Sequence, residues 1–360
     1  MPAALNPFTY DALPYRVVFG SGTIARLREE VEHLCIKRAM VITTPQQREV
    51  GLQMGDRLGD RLGGFFSGAR MHTPVTVTEA AIEEVEAREV DGLVAIGGGS
   101  TVGLSKALSL RTGLPQIVVP TTYAGSEMTP ILGETSQGIK TTKRAREILP
   151  DVVIYDVDLT LDLPRLLSGT SGLNAMAHAV EALYAPDGNP VISMMAEAGI
   201  AAMARALPRI AAAPRDHSAR EDALYGAWLC GACLGAVGMS LHHKLCHVLG
   251  GSFDLPHAET HAIILPHAAA YNAKVAADAM ARIARALGVP SAPVGIFSLA
   301  RSLNIPNSLA SLGMPEDGIE RAADIAVQNS YANPRPIERD LVRDLIVRAY
   351  HGLPPAEAGY

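Results

Sequence analysis

Cysteine is scarce: four residues (Cys35, Cys230, Cys233, Cys246) in a chain of 360 cannot frame a disulfide scaffold. Positive charge is not in excess either. Lys+Arg total 31 against Asp+Glu 37, a net charge of -6, which leaves no polyanion-binding signature and excludes nucleic acid as a partner. No apolar run approaches the ~20 residues that crossing a bilayer takes. The start, Met1-Pro-Ala-Ala-Leu-Asn-Pro7, lacks a basic segment followed by a hydrophobic one, so neither a membrane nor a secretion signal is expected. Repeats and low-complexity tracts are absent, and 48% hydrophobic residues against 19% charged exclude a disordered polymer. The expectation is a reduced, cytoplasmic protein with enough core for two domains.

What is present changes character partway along. Arg16–Phe19, Ala39–Thr43, Gly92–Ile96, Gln116–Pro120 and Val152–Tyr155 read as short buried strands. Between them, Ile24–Cys35, Leu52–Leu62, Glu79–Val90 and Val102–Arg111 carry helical spacing. Strand-helix-strand alternation predicts a doubly wound, mostly parallel α/β sheet, Rossmann-like, over residues 1–160. After Pro164 the strand signals stop, and alanine-rich amphipathic segments predict an all-α domain over residues 161–360.

Two glycine signals compete for a nucleotide. Gly20-Ser-Gly22 follows a strand, but the acid that the dinucleotide fingerprint wants ~20 residues on is missing. Thr43-Thr44-Pro45 stands there instead, which favours a plain turn at Gly20–Gly22 and leaves NADH and NADPH both admissible, with Thr43 and Pro45 as cofactor neighbours. Gly97-Gly98-Gly99-Ser100 is the stronger candidate, because backbone N–H groups at a helix N-terminus approach a pyrophosphate unhindered by side chains. Pro120-Thr121-Thr122-Tyr-Ala-Gly-Ser126 leaves another strand end, so Gly97, Gly98, Gly99, Ser100, Thr121, Thr122 and Ser126 are the expected cofactor contacts. The basic run from Lys140 to Arg144 reads as a solvated turn or, through Lys140, as an anion site.

Six of the eleven histidines fall between His242 and His267. His243 and His247 share a helical face, as do Asn174 and His178 upstream, and His257 follows Gly250-Gly251. Two helices each offering a polar pair from an apolar context predict an internal site of Asn174, His178, His243, His247 and His257. His261 and His267 read as ordinary core or surface residues. Cys230-Gly-Ala-Cys233 imitates a metal or redox motif, but it lies in an apolar helix without a second ligand pair and reads as packing.

Taken together, Gly97–Ser100, Pro120-Thr-Thr122, the 174/178 pair, His243-x-x-x-His247, His257 and Asn333-Pro-Arg335 resemble the iron-containing alcohol dehydrogenase family, whose fold is related to dehydroquinate synthase. Within it, Pro120–Pro130, Gly138–Thr142 and Ser171–His178 are similar to the branch that reduces the conjugated alkene of maleylacetate, an unsaturated keto-dicarboxylate. The resemblance implies an NADH- or NADPH-dependent reductase, a homodimer, acting on a small molecule lodged between two domains. Metal-using members carry Asp, His, His, His, which fall on 174, 178, 243 and 257. Position 174 is Asn here, so no metal is expected, and Gly103 stands where the family often has Asp. His243 is then the foremost proton donor, with His178, His247, His257 and Asn174 in support. Lys140, Lys244 or protonated histidines would meet the two substrate carboxylates. Competing readings are a metal-dependent alcohol dehydrogenase, a non-catalytic nucleotide-binding protein and a lyase. Chelation, NADH binding without turnover, and the absence of net NADH consumption discriminate them in that order.

Overall fold

The computed structural model describes residues 8–356 except 11, 14, 138 and 330. It forms two compact units, one of Pro14–Leu163 with Pro214–Leu224, the other mainly of Pro164–Ala213 and 225–356.

The first unit is built on β1 (Arg16–Gly20), β2 (Ala39–Ile42), β3 (Leu62–Phe66), β4 (Gly92–Gly97), β5 (Gln116–Pro120), β6 (Ile131–Ser136), β7 (Ile139–Arg144) and β8 (Val152–Asp156). Six strands form one sheet in the order β1-β8-β5-β4-β2-β3, every pair parallel. Parallel strands need crossovers, supplied by α1 (Leu27–His33), α2 (Arg48–Gly55), α3 (Val75–Ala87) and α4 (Gly99–Thr112). Because β4 is covered on both faces, it is apolar throughout: Val94 and Ile96 pack with Val41 and Val119, while Leu93 packs on the other side with Met40, Leu104 and Leu108.

Two local expectations fail for identifiable reasons. The helix expected over Leu52–Leu62 ends at Gly55, a 3-10 stretch follows in which Gly59 has φ 56°, and Leu62 opens β3. Leu-Gly-Gly-Phe-Phe hides that strand, since two glycines remove its β-branched signature. The basic run read as a turn is β7, paired antiparallel with β6. Lys140 lies in β7, and its side chain is outside the described residues.

The second unit is helical as expected: α5 (Arg165–Ala182), α6 (Pro190–Ala212), α7 (His217–Ala236, whose first turns belong to the sheet unit), α8 (Leu241–Phe253), α9 (His257–Asn272), α10 (Ala277–Leu287), α11 (Ala292–Ser302), α12 (Gly318–Ala326) and α13 (Arg339–His351). Leu241, Leu245 and Leu249 of α8 interlock with Ile264 of α9 and with Leu345 and Ile346 of α13. Two stretches, Pro190–Ala212 (mean hydropathy 1.3) and Ala277–Ser302 (1.4), do reach the length and composition of a bilayer span, which corrects the reading that none approaches it. Alanine raises their hydropathy without making an unbroken apolar run. Glu197 of α6 is ion-paired with Arg282 of α10 at 2.5 Å, as suits helices packed in a bundle.

Candidate active site

The parallel sheet changes direction between β4 and β2, and ligands of such sheets sit beyond the strand ends at that point. Gly97 ends β4 with φ 153°, Gly98 caps α4 in an extended conformation, and Gly99 begins the helix. A Cβ at Gly97 would stand 2.4 Å from Thr101 Oγ1, and one at Gly98 2.9 Å from Thr122 Cγ2, whereas nothing lies within 4 Å of one at Gly99. The glycines therefore do two jobs: two allow close packing and the third leaves the helix N-terminus bare for an anion. Thr121 N–H donates to Gly97 O at 3.0 Å, and Gln47 Nε2 donates to Thr121 Oγ1 at 2.8 Å. These bonds tie the loops after β2, β4 and β5 together around Thr43, which is buried, and Pro45, which opens a 3-10 turn. Gln47 carries no sequence signal; only the fold brings it there. Ser126 is held from beneath by the buried Lys106, whose Nζ donates to Ser126 O (2.5 Å), Thr129 O (2.7 Å) and Ile131 O (3.0 Å). Gly103, where the family often has Asp, packs so closely on Thr73 that a Cβ would lie 2.3 Å from its Oγ1.

The other glycine loop is a turn. Asp156 at the end of β8 accepts from Gly22 N (3.0 Å), Ile24 N (2.8 Å) and Asp158 N (3.0 Å), so an internal carboxylate already takes the donors that a phosphate would use.

In the helical unit, Asn174, His178 and Glu181 follow each other along one face of α5. Glu181 is fully buried and receives three donors: Ser240 N at 2.9 Å, His242 N at 2.8 Å, and His243 Nδ1 at 2.6 Å. The first two belong to the start of α8, where Ser240 makes no side-chain cap. His243 thereby faces His178, their ring centroids 5.2 Å apart, with His247 at 6.4 Å and His261 at 5.1 Å. The His257 ring lies tilted against His261, their centroids 4.2 Å apart. Asn174 Oδ1, His178 Nδ1 and His243 Nε2 have no hydrogen-bond partner among the described residues, and neither have His242 Nδ1 and His261 Nε2. Buried polar atoms left unpaired mark a place built for a ligand. Burial, reinforced by His243 and His257, pushes the His178 pKa well below the usual histidine value, so His178 is neutral.

Behind this row lies a second one. His242 Nε2 and His261 Nδ1 are hydrogen-bonded at 3.0 Å, with Cys246 Sγ 3.8 Å from the same His242 nitrogen. Burial first and neighbouring histidines second lower the pKa of both imidazoles well below the usual value. His261 is a core residue, as read, that also belongs to the cluster through its bond to His242, and burial disfavours charge on His178, His242 and His261 alike. His267 does stand apart, near Phe297, its pKa pushed down to about 3 by burial. Cys230 and Cys233 are packing residues in α7, and burial pushes the Cys233 thiol up to about 12. Lys244 Nζ sits 5.5 Å from the centre of the Tyr331 ring, and Asn333 pairs with Asn272 while Arg335 lies over Tyr271 at 4.8 Å.

Glu181, His242 and His261 are what sequence reasoning missed. A signal existed for Glu181: an acid three residues after His178, inside an otherwise apolar helix.

The donors at 174, 178, 243 and 257 are one amide and three imidazoles. With no carboxylate among them, the four donors themselves bring no charge to offset that of a dehydrated divalent ion, and the set does not fit iron. His242, Cys246 and His261 bring donor atoms within 4.8 Å of one another, but the two imidazoles already bond each other.

Residues 14–157 match the family description "Iron-containing alcohol dehydrogenase", and residues 168–350 match "Fe-containing alcohol dehydrogenase family, C-terminal". A maleylacetate reductase of Sphingobium indicum is 55% identical, over 98% of this chain and 99% of its own. The crystal structure of a maleylacetate reductase from Agrobacterium tumefaciens superposes with a TM-score of 0.95 at 56% identity, covering 98% of this chain and 100% of that one. That of a maleylacetate reductase from Rhizobium sp. strain MTP-10005 gives 0.95 at 54% identity, with the same coverage.

Proposed function

The chain belongs to the iron-containing alcohol dehydrogenase family, and from that premise we infer that it reduces the conjugated C=C of maleylacetate to give 3-oxoadipate. The observation that carries this reading is the unbroken likeness to maleylacetate reductases, 55% identity across 98% of the chain. It works with NADH or NADPH and without metal, as a cytoplasmic homodimer.

When bound, the dinucleotide supplies a hydride. Gly97–Ser100, Thr121 and Thr122 would hold its pyrophosphate by backbone and hydroxyl donors, with Thr43, Pro45 and Ser126 on the same loops; Lys140 is assigned to the same anionic ligand from the sequence alone. No acid follows β2 to repel a 2′-phosphate. Hydride addition to the alkene carbon β to the ketone pushes charge onto the ketone oxygen, and the resulting enolate takes a proton at the α carbon. His243 provides that proton from Nε2, the ring nitrogen that Glu181 leaves free. His178 orients the substrate by donating from Nδ1, with Asn174 one turn before it in support and His247 and His257 lining the same cluster.

The test is a spectrophotometric assay of NADH and NADPH oxidation with maleylacetate, with and without EDTA. Rapid oxidation that EDTA leaves untouched is expected. NADH binding without turnover would turn the reading to a sensor protein.

A further inference from the structure

We propose that Glu181 is the positioning residue of this site: its carboxylate fixes the orientation of His243 and balances the charge that His243 carries when it donates a proton. The inference rests on the reductase reading above and adds to it a group that never touches the substrate.

The geometry is asymmetric in an informative way. Glu181 Oε1 takes one donor, His242 N, while Oε2 takes both Ser240 N and His243 Nδ1. A carboxylate accepts and does not donate, so His243 must carry its hydrogen on Nδ1, which leaves Nε2 for the substrate. The two backbone bonds hold the carboxylate to the first turn of the helix that carries His243. Acceptor and imidazole are thus set by one short stretch of backbone, and His243 cannot swing without giving up its bond to Glu181.

The proton balance follows. As the enolate collapses, the Nε2–H bond breaks and a C–H bond forms at the α carbon. The imidazolium becomes a neutral imidazole still bonded through Nδ1–H to Glu181, and solvent restores the proton to Nε2. The hydride donor is the nicotinamide, which is oxidised. A neutral residue at 181 would leave the imidazolium without compensation in a buried site, so the loss falls on proton transfer and not on binding.

Three measurements decide it. The ring nitrogens of His243 in 15N-histidine-labelled enzyme, assigned with His243→Gln, should show a proton on Nδ1 in both the neutral and the imidazolium form; a neutral ring with Nδ1 bare would overturn the placement. Glu181→Gln keeps an acceptor and removes the charge, and should lower kcat about 100-fold with KM for maleylacetate and Kd for NADH little changed. Glu181→Asp keeps the charge at a shorter reach and should recover part of that loss. A Gln variant with near wild-type kcat, or an Asp variant no better than Gln, overturns the proposal. So does loss of NADH binding in both variants, since that marks a purely structural role. If the wild type fails to oxidise NADH with maleylacetate, the reading of the reaction falls instead, and the ring-nitrogen measurement still decides the tautomer.

Discussion

The Gly20–Gly22 and Gly97–Gly99 loops both leave the carboxyl end of a parallel strand and lead into helical turns, yet they end in opposite states. At the first, Asp156 reaches across from β8 and takes the N–H groups of Gly22 and Ile24. At the second, the first turn of α4 contains no acid and Gly99 faces nothing within 4 Å. The histidines differ in the partner they have: His242 and His261 bond each other and His243 bonds a carboxylate, each keeping its second ring nitrogen unpaired, as His178 keeps Nδ1. Residue type decides little here. What separates a functional group from a structural one is whether the fold has already supplied its partner.

The contrast breaks most severely at Gly98. Gly98→Asp sets a carboxylate where the pyrophosphate is proposed to lie, and like charges in contact cost several kcal/mol, so Kd for NADH should rise by more than ~100-fold. The fold should survive, as circular dichroism would show, because only the Thr122 side chain lies near the new Cβ. Wild-type affinity in Gly98→Asp would move the cofactor elsewhere. Next comes His243→Ala, expected to lower kcat by roughly 10²–10³ while NADH binding stays constant, because the lost interaction acts on charge present only in the transition state. An unchanged kcat removes His243 from the chemistry.

This difference also explains how far the sequence could be read. Strand and helix periodicity carried the doubly wound sheet and the helical half, since burial on both faces of β4 writes itself as an unbroken apolar run. The i,i+4 pairs carried Asn174/His178 and His243/His247, because one helix turn fixes their relation. Gln47, His261 and Asp156 were beyond reach in their actual roles. Each acts on a partner brought near by tertiary packing, 74, 19 and 134 residues away along the chain. Glu181 lies between these cases: its face on α5 was legible, but its partners across 59 to 62 residues were not.

The closed loop and the buried histidines should respond through stability. Asp156→Ala strands buried N–H donors and should cost about 3 kcal/mol in urea unfolding, with NADH affinity unchanged. A lost cofactor affinity at unchanged stability would mean that this loop, too, serves a ligand. A smaller effect comes from pH. His267, pushed down to about 3 from the ordinary 6.5, and His242 and His261, also depressed, stay neutral in the folded chain. The unfolded chain protonates them below 6.5, so it binds more protons and stability falls as pH drops from there toward 3. Each histidine contributes up to about 1.4 kcal/mol per pH unit in that window. His267→Asn should flatten the slope, and equal stabilities at about pH 7.5 and about pH 5.5 would contradict the neutral assignment.

The smallest effect expected is none at all, from metal removal. A divalent ion in this family's position would meet Asn174, His178, His243 and His257, and an amide brings no charge to offset the ion's lost hydration. Three imidazoles alone can hold Zn²⁺ in catalytic sites, so the donor count does not settle the matter by itself. The second argument comes from Glu181, which takes His243 Nδ1 at 2.6 Å and leaves one nitrogen for everything else the residue does. If that nitrogen binds an ion, it cannot hand a proton to the α carbon; the two roles exclude each other. Activity should therefore be the same before and after EDTA treatment. Asn174→Asp restores a carboxylate beside His178 and should raise affinity for Fe²⁺ or Zn²⁺, measured by equilibrium dialysis. Bound metal in that variant should then inhibit maleylacetate reduction, because it occupies Nε2 of His243. Activity lost on chelation of the wild type and restored by one specific ion would reverse the assignment, making His243 a ligand and leaving the proton to another group.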